Sequence, residues 1–154
     1  MNYFYLDASA IIKRYLTEQG SEWVFRLAEY NAENILILGE ITLAEVAAAL
    51  ASRRRATNGI SDEEYKVALL DFLSHCQSEY QLTPIERSII DLAVSLTQRH
   101  RLRGYDAVQL AAALNASQTL ADAGLSPLTF VAADKDLLSA AQLEGMSVEN
   151  PNER

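Results

Sequence analysis

The sequence predicts an α/β domain built on a mainly parallel sheet. Three observations carry this. Short apolar runs alternate with longer helical segments along the chain. Two of the runs, Tyr3–Leu6 and Leu128–Ala133, end directly on an acidic residue, Asp7 and Asp134. No Ser/Gly-rich linker, low-complexity stretch or solenoid repeat breaks the alternation, and 154 residues suit one domain with one sizeable core.

Taken in order, Tyr3 to Leu6 is an aromatic and apolar run that reads as a buried strand. Residues 9–16 and 21–30 read as helices, and Ile35–Leu38 as a second buried strand. The Ala- and Leu-rich stretch 42–55 is helical by propensity. Ser61-Asp62-Glu63-Glu64 has the form of a capping box and predicts a helix running to about Tyr80. Tyr80–Leu82 is a short strand candidate. Thr83-Pro84-Ile85-Glu86 offers a cap, a first-turn Pro and a third-position Glu, predicting a helix from there to about His100. Residues 106–121 form an Ala-rich helix and Leu128–Ala132 a third clear strand. Residues 135–143 are helical, Gly145 can end that helix, and Met146–Val148 is a last short strand.

Composition narrows the function. No run of 18 apolar residues is present, so no membrane span is expected. The N-terminus lacks a basic segment, an apolar stretch and a small-residue cleavage site, so no signal peptide is expected and a cytoplasmic location is the default. The single cysteine, Cys76, excludes an internal disulfide and a multi-cysteine zinc site. A net charge of −8 runs against simple electrostatic binding of nucleic-acid backbones. Carboxylates gathered around divalent cations count as negative in a sequence yet are partly neutralised in a working site.

In a parallel α/β sheet the ligand crevice lies beyond the carboxyl ends of the strands, which is where Asp7 and Asp134 fall. Two further acids stand out. Glu45 is the only charge in Ile41–Leu50, and Asp106 opens a helix that is apolar almost all round. Each has a bland reading: Asp7, Asp106 and Asp134 as helix N-caps, Glu45 as a solvated position, Asp136 as a first-turn residue facing solvent. Ser9 likewise suits a cap. Their joint placement is what points to chemistry.

The chain resembles the PIN-domain family, and within it the VapC-type toxins of toxin–antitoxin pairs. The resemblance rests on Tyr5–Tyr15, on Ile41-Thr42-Leu43-Ala44-Glu45-Val46, on Tyr105-Asp106-Ala107 leading into the Ala-rich helix, and on Val131–Leu137, four short motifs in order that span nearly the whole chain. It implies a three-layer α/β/α fold with four to five short strands and a single nuclease domain over 1–154; the tail over 149–154 is expected to be flexible. It further implies that Asp7, Glu45, Asp106 and Asp134 converge on one or two Mg²⁺ or Mn²⁺ ions and hydrolyse RNA, with Ser9 as an accessory hydroxyl; Lys13, one to two turns after Asp7, and Asp136, beside Asp134, are accessory candidates by position. Hard cations prefer such oxygen ligands. The sequence departs from the family at Ala132, where Thr or Ser is common, which removes a hydroxyl near Asp134. His75 and His100 lie outside the motifs and read as surface or packing residues.

Arg53-Arg54-Arg55 is the densest basic run. It reads either as a solvated helix end or as a phosphate contact for RNA, and Arg103, just before Asp106, allows the same two readings. Tyr105 adjoins Asp106 and suits either packing or stacking on a base. The resemblance also implies a homodimer and a small antitoxin partner. The apolar positions Trp23, Val24 and Leu27, and Val67, Leu70 and Leu73, suit either such interfaces or the core. Two other readings stay open: a catalytically silent PIN-like module that binds RNA or protein, and a phosphotransfer domain with Asp7 as nucleophile. The latter lacks its second acid, because Ser9 stands two residues on.

Overall fold

The computed structural model describes residues 1–154. Five strands form one sheet: β1 (Asn2–Leu6), β2 (Asn34–Gly39), β3 (Gln81–Thr83), β4 (Leu128–Val131) and β5 (Ser147–Glu149). Their order is β3-β2-β1-β4-β5 and every pairing is parallel. The order reverses at β1, so the carboxyl ends of β1 and β4 flank the switch point of the sheet.

Seven helices cover the two faces: α1 (Ala8–Ile11), α2 (Ser21–Ala28), α3 (Ile41–Arg55), α4 (Asp62–Ser78), α5 (Arg87–Arg99), α6 (Gly104–Asp122) and α7 (Lys135–Leu143). Side chains of β1 alternate between two cores, as a strand buried on both faces requires. Tyr3 and Tyr5 join Ile89, Leu96, Leu110, Phe130 and Leu137 under α5–α7. Leu6 joins Val24, Val46, Leu50, Phe72 and Val131 under α1–α4. The three-layer α/β/α expectation therefore holds, with all five strands parallel. No helix is long and apolar enough to cross a membrane.

Helix boundaries follow local chemistry. The Ser61–Glu64 capping box forms in both directions, with each side chain bonded to the other's backbone N–H. Three expectations need correction. The helix expected from Thr83 starts instead at Arg87, with Glu86 before it and no side-chain cap. Thr83 is drawn into the parallel ladder opposite Gly39, with its carbonyl accepting from the Glu40 N–H at 3.0 Å, so the chain is still in strand where the cap was expected and the helix begins only after Glu86. The helix expected over 9–16 is α-helical only to Ile11 and then tightens into a 3-10 turn over Ile12–Arg14. The tail is not free: Glu149 belongs to β5, Asn150 is buried, and Pro151–Glu153 forms a 3-10 turn. Gln19 Nε2 donates to the Asn152 carbonyl at 2.7 Å, which ties this turn to the start of α2.

Gly20 makes that docking possible. Its φ is +85°, and a Cβ there would lie 2.5 Å from the Pro151 carbonyl oxygen. Gly20→Ala is expected to cost at least about 2 kcal/mol, from left-handed strain plus displacement of the terminal turn. A thermal melt checks this, and an unchanged melting temperature would show that the tail contributes nothing to stability.

Candidate active site

The four acids are set at the carboxyl edge of the sheet by three kinds of local structure. Asp7 follows β1, and its backbone N–H donates to the Val131 carbonyl at 3.1 Å, which locks it to the end of β4. Its carboxylate caps α1, accepting from the Ala10 N–H at 3.0 Å and from the Ser9 hydroxyl at 2.7 Å. Asp134 caps α7 by accepting from the Leu137 N–H at 3.0 Å. Glu45 projects from the second turn of α3, and Asp106 from the first turn of α6. The cap readings are thus correct for Asp7 and Asp134. They do not exhaust these groups, because each carboxylate keeps an oxygen that the cap does not use.

Electrostatics link the four. Burial raises the Asp7 carboxyl, against the Ser9 and Ala10 hydrogen bonds, and the negative charges of Asp106 and Glu45 raise it further, to about 7. Burial raises Glu45 as well; Gln109 opposes this by donating a hydrogen bond, and Asp106 adds to it. Asp106 is raised by burial, lowered by Arg103, and raised again by Asp134. Asp106 is therefore the hub that feels or perturbs every other member. Groups arranged so that their ionised forms repel are stabilised by a cation placed among them.

One protein cation reaches the cluster. Arg103 Nε lies 3.5 Å from Asp106, and its Nη2 lies 3.9 Å from Asp134. The guanidinium itself is 83% exposed, so it sits at the lip of the site. Asp7 and Glu45 have no ion pair. No three His, Cys, Asp or Glu side chains lie close enough together to hold a metal ion between them as they stand. The donors are nonetheless all oxygens, mutually repelling and half-buried or buried, which fits a hard divalent ion that keeps several waters and takes one or two carboxylates.

Ser9 fills a larger role than capping. Its hydroxyl donates to Asp7 and accepts from the Ala133 N–H at 3.0 Å, joining the two acid-bearing strand ends. Ala132 is fully buried in the core, and the hydroxyl beside the carboxylates comes from Ser9 instead. Ser9→Ala is expected to leave the Ala133 N–H without its partner, costing about 1–2 kcal/mol. It also removes a bond that holds the Asp7 carboxyl down, so the Asp7 titration is expected above pH 7. Melting and a pH titration of Asp7 by NMR check the two halves separately; an unmoved titration would refute the second.

The model of the PIN domain family matches residues 4–143. The chain belongs to the PIN-domain family. Comparison with curated proteins finds no sequence match. Among solved structures the PIN domain is similar to the FitAB complex bound to an IR36 DNA fragment, at 16% identity and a TM-score of 0.64 over 96% of this chain and 94% of that one. It is similar to Mycobacterium tuberculosis VapC20, a Sarcin-Ricin loop cleaving toxin, at 17% identity and 0.60 over 89% and 94%. It is also similar to VapBC2 from Rickettsia felis bound to a promoter DNA fragment, at 13% identity and 0.62 over 96% and 98%. At these identities the likeness is one of fold.

The remaining residues singled out in the sequence lie as follows in this PIN domain. Lys13 is buried and its ammonium bonds Glu18 at 3.0 Å, so it is engaged away from the carboxylates. Asp136 is exposed and makes no hydrogen bond or ion pair. Arg53, Arg54 and Arg55 occupy the last turn of α3, about 12–15 Å along the helix from Glu45. Arg53 faces Glu18 at 3.6 Å, and Arg54 lies over the Tyr65 ring and 3.9 Å from Asp62. His75 Nδ1 is 2.7 Å from the Tyr15 hydroxyl and His100 lies beside Glu144, both apart from the four acids. Tyr105 is exposed next to Asp106. Three residues behind the site carry no motif signal of their own: Gln109, which donates to Glu45, and Tyr5 and Thr42, which bond Gln109. Gln109 does stand out by composition, being the one polar side chain in the run Ala107–Leu114.

Proposed function

We propose that this PIN domain is a metal-dependent endoribonuclease, the toxin of a toxin–antitoxin pair, that hydrolyses RNA phosphodiester bonds at a site of Asp7, Glu45, Asp106 and Asp134 holding Mg²⁺ or Mn²⁺. The single observation that carries the reading is the coupled set of carboxylates at the switch point of the sheet, centred on Asp106. A divalent ion bound there would activate water and offset charge on the phosphate under attack. Asp7 is held by Ser9 and the Ala10 N–H with an oxygen to spare. Asp106 and Asp134 share the Arg103 guanidinium, which on its exposed side is free to meet a phosphate. Tyr105 beside it can stack on a base, and Arg55, exposed on α3, extends the basic surface. The VapC20 neighbour, a Sarcin-Ricin loop cleaving toxin by its name, supports a cleaving toxin of this kind.

A protein partner is supported by a cleft of about 570 Å³ between α2 and α4, walled by Phe25, Val67 and Ala68 and rimmed by Glu29, Glu63 and Asp71. Leu70 and Leu73 continue the exposed apolar stripe on α4, whereas Val24 and Leu27 are core. Apolar walls with an acidic rim suit a basic amphipathic segment such as an antitoxin would supply, and a second copy of the chain is proposed as the other partner. A cytoplasmic location goes with this reading.

The test is cleavage of a structured RNA by the purified protein with Mg²⁺ or Mn²⁺ and with chelator, alongside Asp106→Asn. Cleavage only with the metal, lost in the variant, supports the reading. Cleavage in chelator, or full activity of Asp106→Asn, would overturn it.

A further inference from the structure

Gln109 is 1% exposed and surrounded by alanine and leucine side chains of the core. A carboxamide so placed is costly unless its hydrogen bonds are made. Here they are. Its Oε1 accepts from the Tyr5 hydroxyl at 2.7 Å, and its Nε2 donates to Thr42 Oγ1 at 2.9 Å and to Glu45 Oε1 at 2.6 Å. The network also dictates which way the amide faces. Glu45 can only accept when ionised, so the Nε2 side of the amide must face it and Oε1 must take the Tyr5 hydroxyl. Turned over, the amide would set Oε1 against a carboxylate oxygen. Gly39 itself is required, since a Cβ there would lie 2.6 Å from the Tyr5 hydroxyl.

The placement of this network repeats that of the acids. β1 bears Tyr5, and Asp7 follows two residues on, just past the end of the strand. α3 bears Thr42 and, three residues on, Glu45. α6 bears Asp106 and, three residues on, Gln109. Strand and helix periodicity set each pair on one side of its element. Core packing alone does not call for these groups, because replacing all partners of a buried network by apolar groups of like shape is close to neutral. An apolar set would lack any hold on the Glu45 carboxylate, which has no ion pair of its own.

We infer that Tyr5, Thr42 and Gln109 form a buried aligning layer, with Gln109 the positioning residue that fixes the Glu45 carboxylate for a divalent cation. The inference rests on the proposed metal site and assigns it a second layer of residues. Such outer partners typically govern metal affinity by about 10- to 100-fold.

The test is calorimetric titration of Mn²⁺ into the metal-free full chain, with thermal melts in chelator as the control for folding. Gln109→Leu is expected to weaken Mn²⁺ binding about 10- to 100-fold, and Tyr5→Phe to weaken it less, in the same direction. Gln109→Leu alone strands polar atoms, so the triple replacement Tyr5→Phe, Thr42→Val, Gln109→Leu is the decisive variant. It is expected to melt within a few degrees of the parent and to bind Mn²⁺ as weakly as Gln109→Leu. Parental affinity in the folded triple variant would overturn the inference while leaving the nuclease reading intact. A parent chain that binds no Mn²⁺ would overturn both.

Discussion

Asp7→Asn is expected to reduce RNA cleavage by more than about a hundredfold, the scale of losing a charge-stabilising group at a reaction centre, while making the metal-free protein more stable at pH 8. The two effects have one cause. Burial and the neighbouring charges of Asp106 and Glu45 place the folded-state pKa of Asp7 at about 7, whereas an unfolded aspartate titrates near its ordinary value of 3.8. Between those limits the native state binds the extra proton, so the contribution of Asp7 to stability falls as pH rises from about 4 to about 7. The total is on the order of 4 kcal/mol. Asparagine keeps the cap acceptor for Ala10 and the partner for Ser9 but has no charge to desolvate. Its melting temperature in chelator at pH 8 should exceed that of the parent by several degrees, at roughly 2–4 °C per kcal/mol for a chain of this size. A melt at pH 4 should show the difference shrinking. A variant that is both less stable at pH 8 and still active would contradict this account of the site on both counts.

Addition of Mn²⁺ to the parent should have the opposite sign of pH dependence. A ligand at a hundred times its Kd stabilises a native state by about 2.7 kcal/mol, or roughly 5–10 °C here. At pH 8 Asp7 is ionised and the shift should be fully expressed. At pH 5.5 the folded protein holds a proton on Asp7, the cation must displace it, and the shift should shrink severalfold. Differential scanning fluorimetry at the two pH values decides the matter. An equal shift at both would mean that Mn²⁺ binds without Asp7, and no shift at pH 8 would mean that the carboxylates hold no cation.

Much of the fold is legible in the sequence. The strand ends at Asp7 and Asp134 were visible because an apolar run stopped by an acid is a local pattern, and a parallel sheet turns that pattern into a place. Thr83 was misread because its cap signal is local while its partner, Gly39, lies 44 residues away. The tail was misread for the same reason: nothing near Pro151 announces Gly20. Ala132 looked like a missing hydroxyl only until the fold brought Ser9 to Ala133 from another element. Gln109 was overlooked although it was the odd residue in its helix. Its meaning depends on Tyr5 and Thr42, and no spacing rule connects three residues on three elements.

The central position of β1 has a consequence for timing. β1 pairs with β4, and Asp7 stands 127 residues from Asp134. Contacts of such long range form late, after the loop-closure entropy of the intervening chain has been overcome. A growing polypeptide that has exposed Asp7, Glu45 and even Asp106 still lacks the strand that anchors the Asp7 backbone and carries the fourth acid. Most of this chain can therefore be synthesised before the four carboxylates are able to come together at one edge of the sheet.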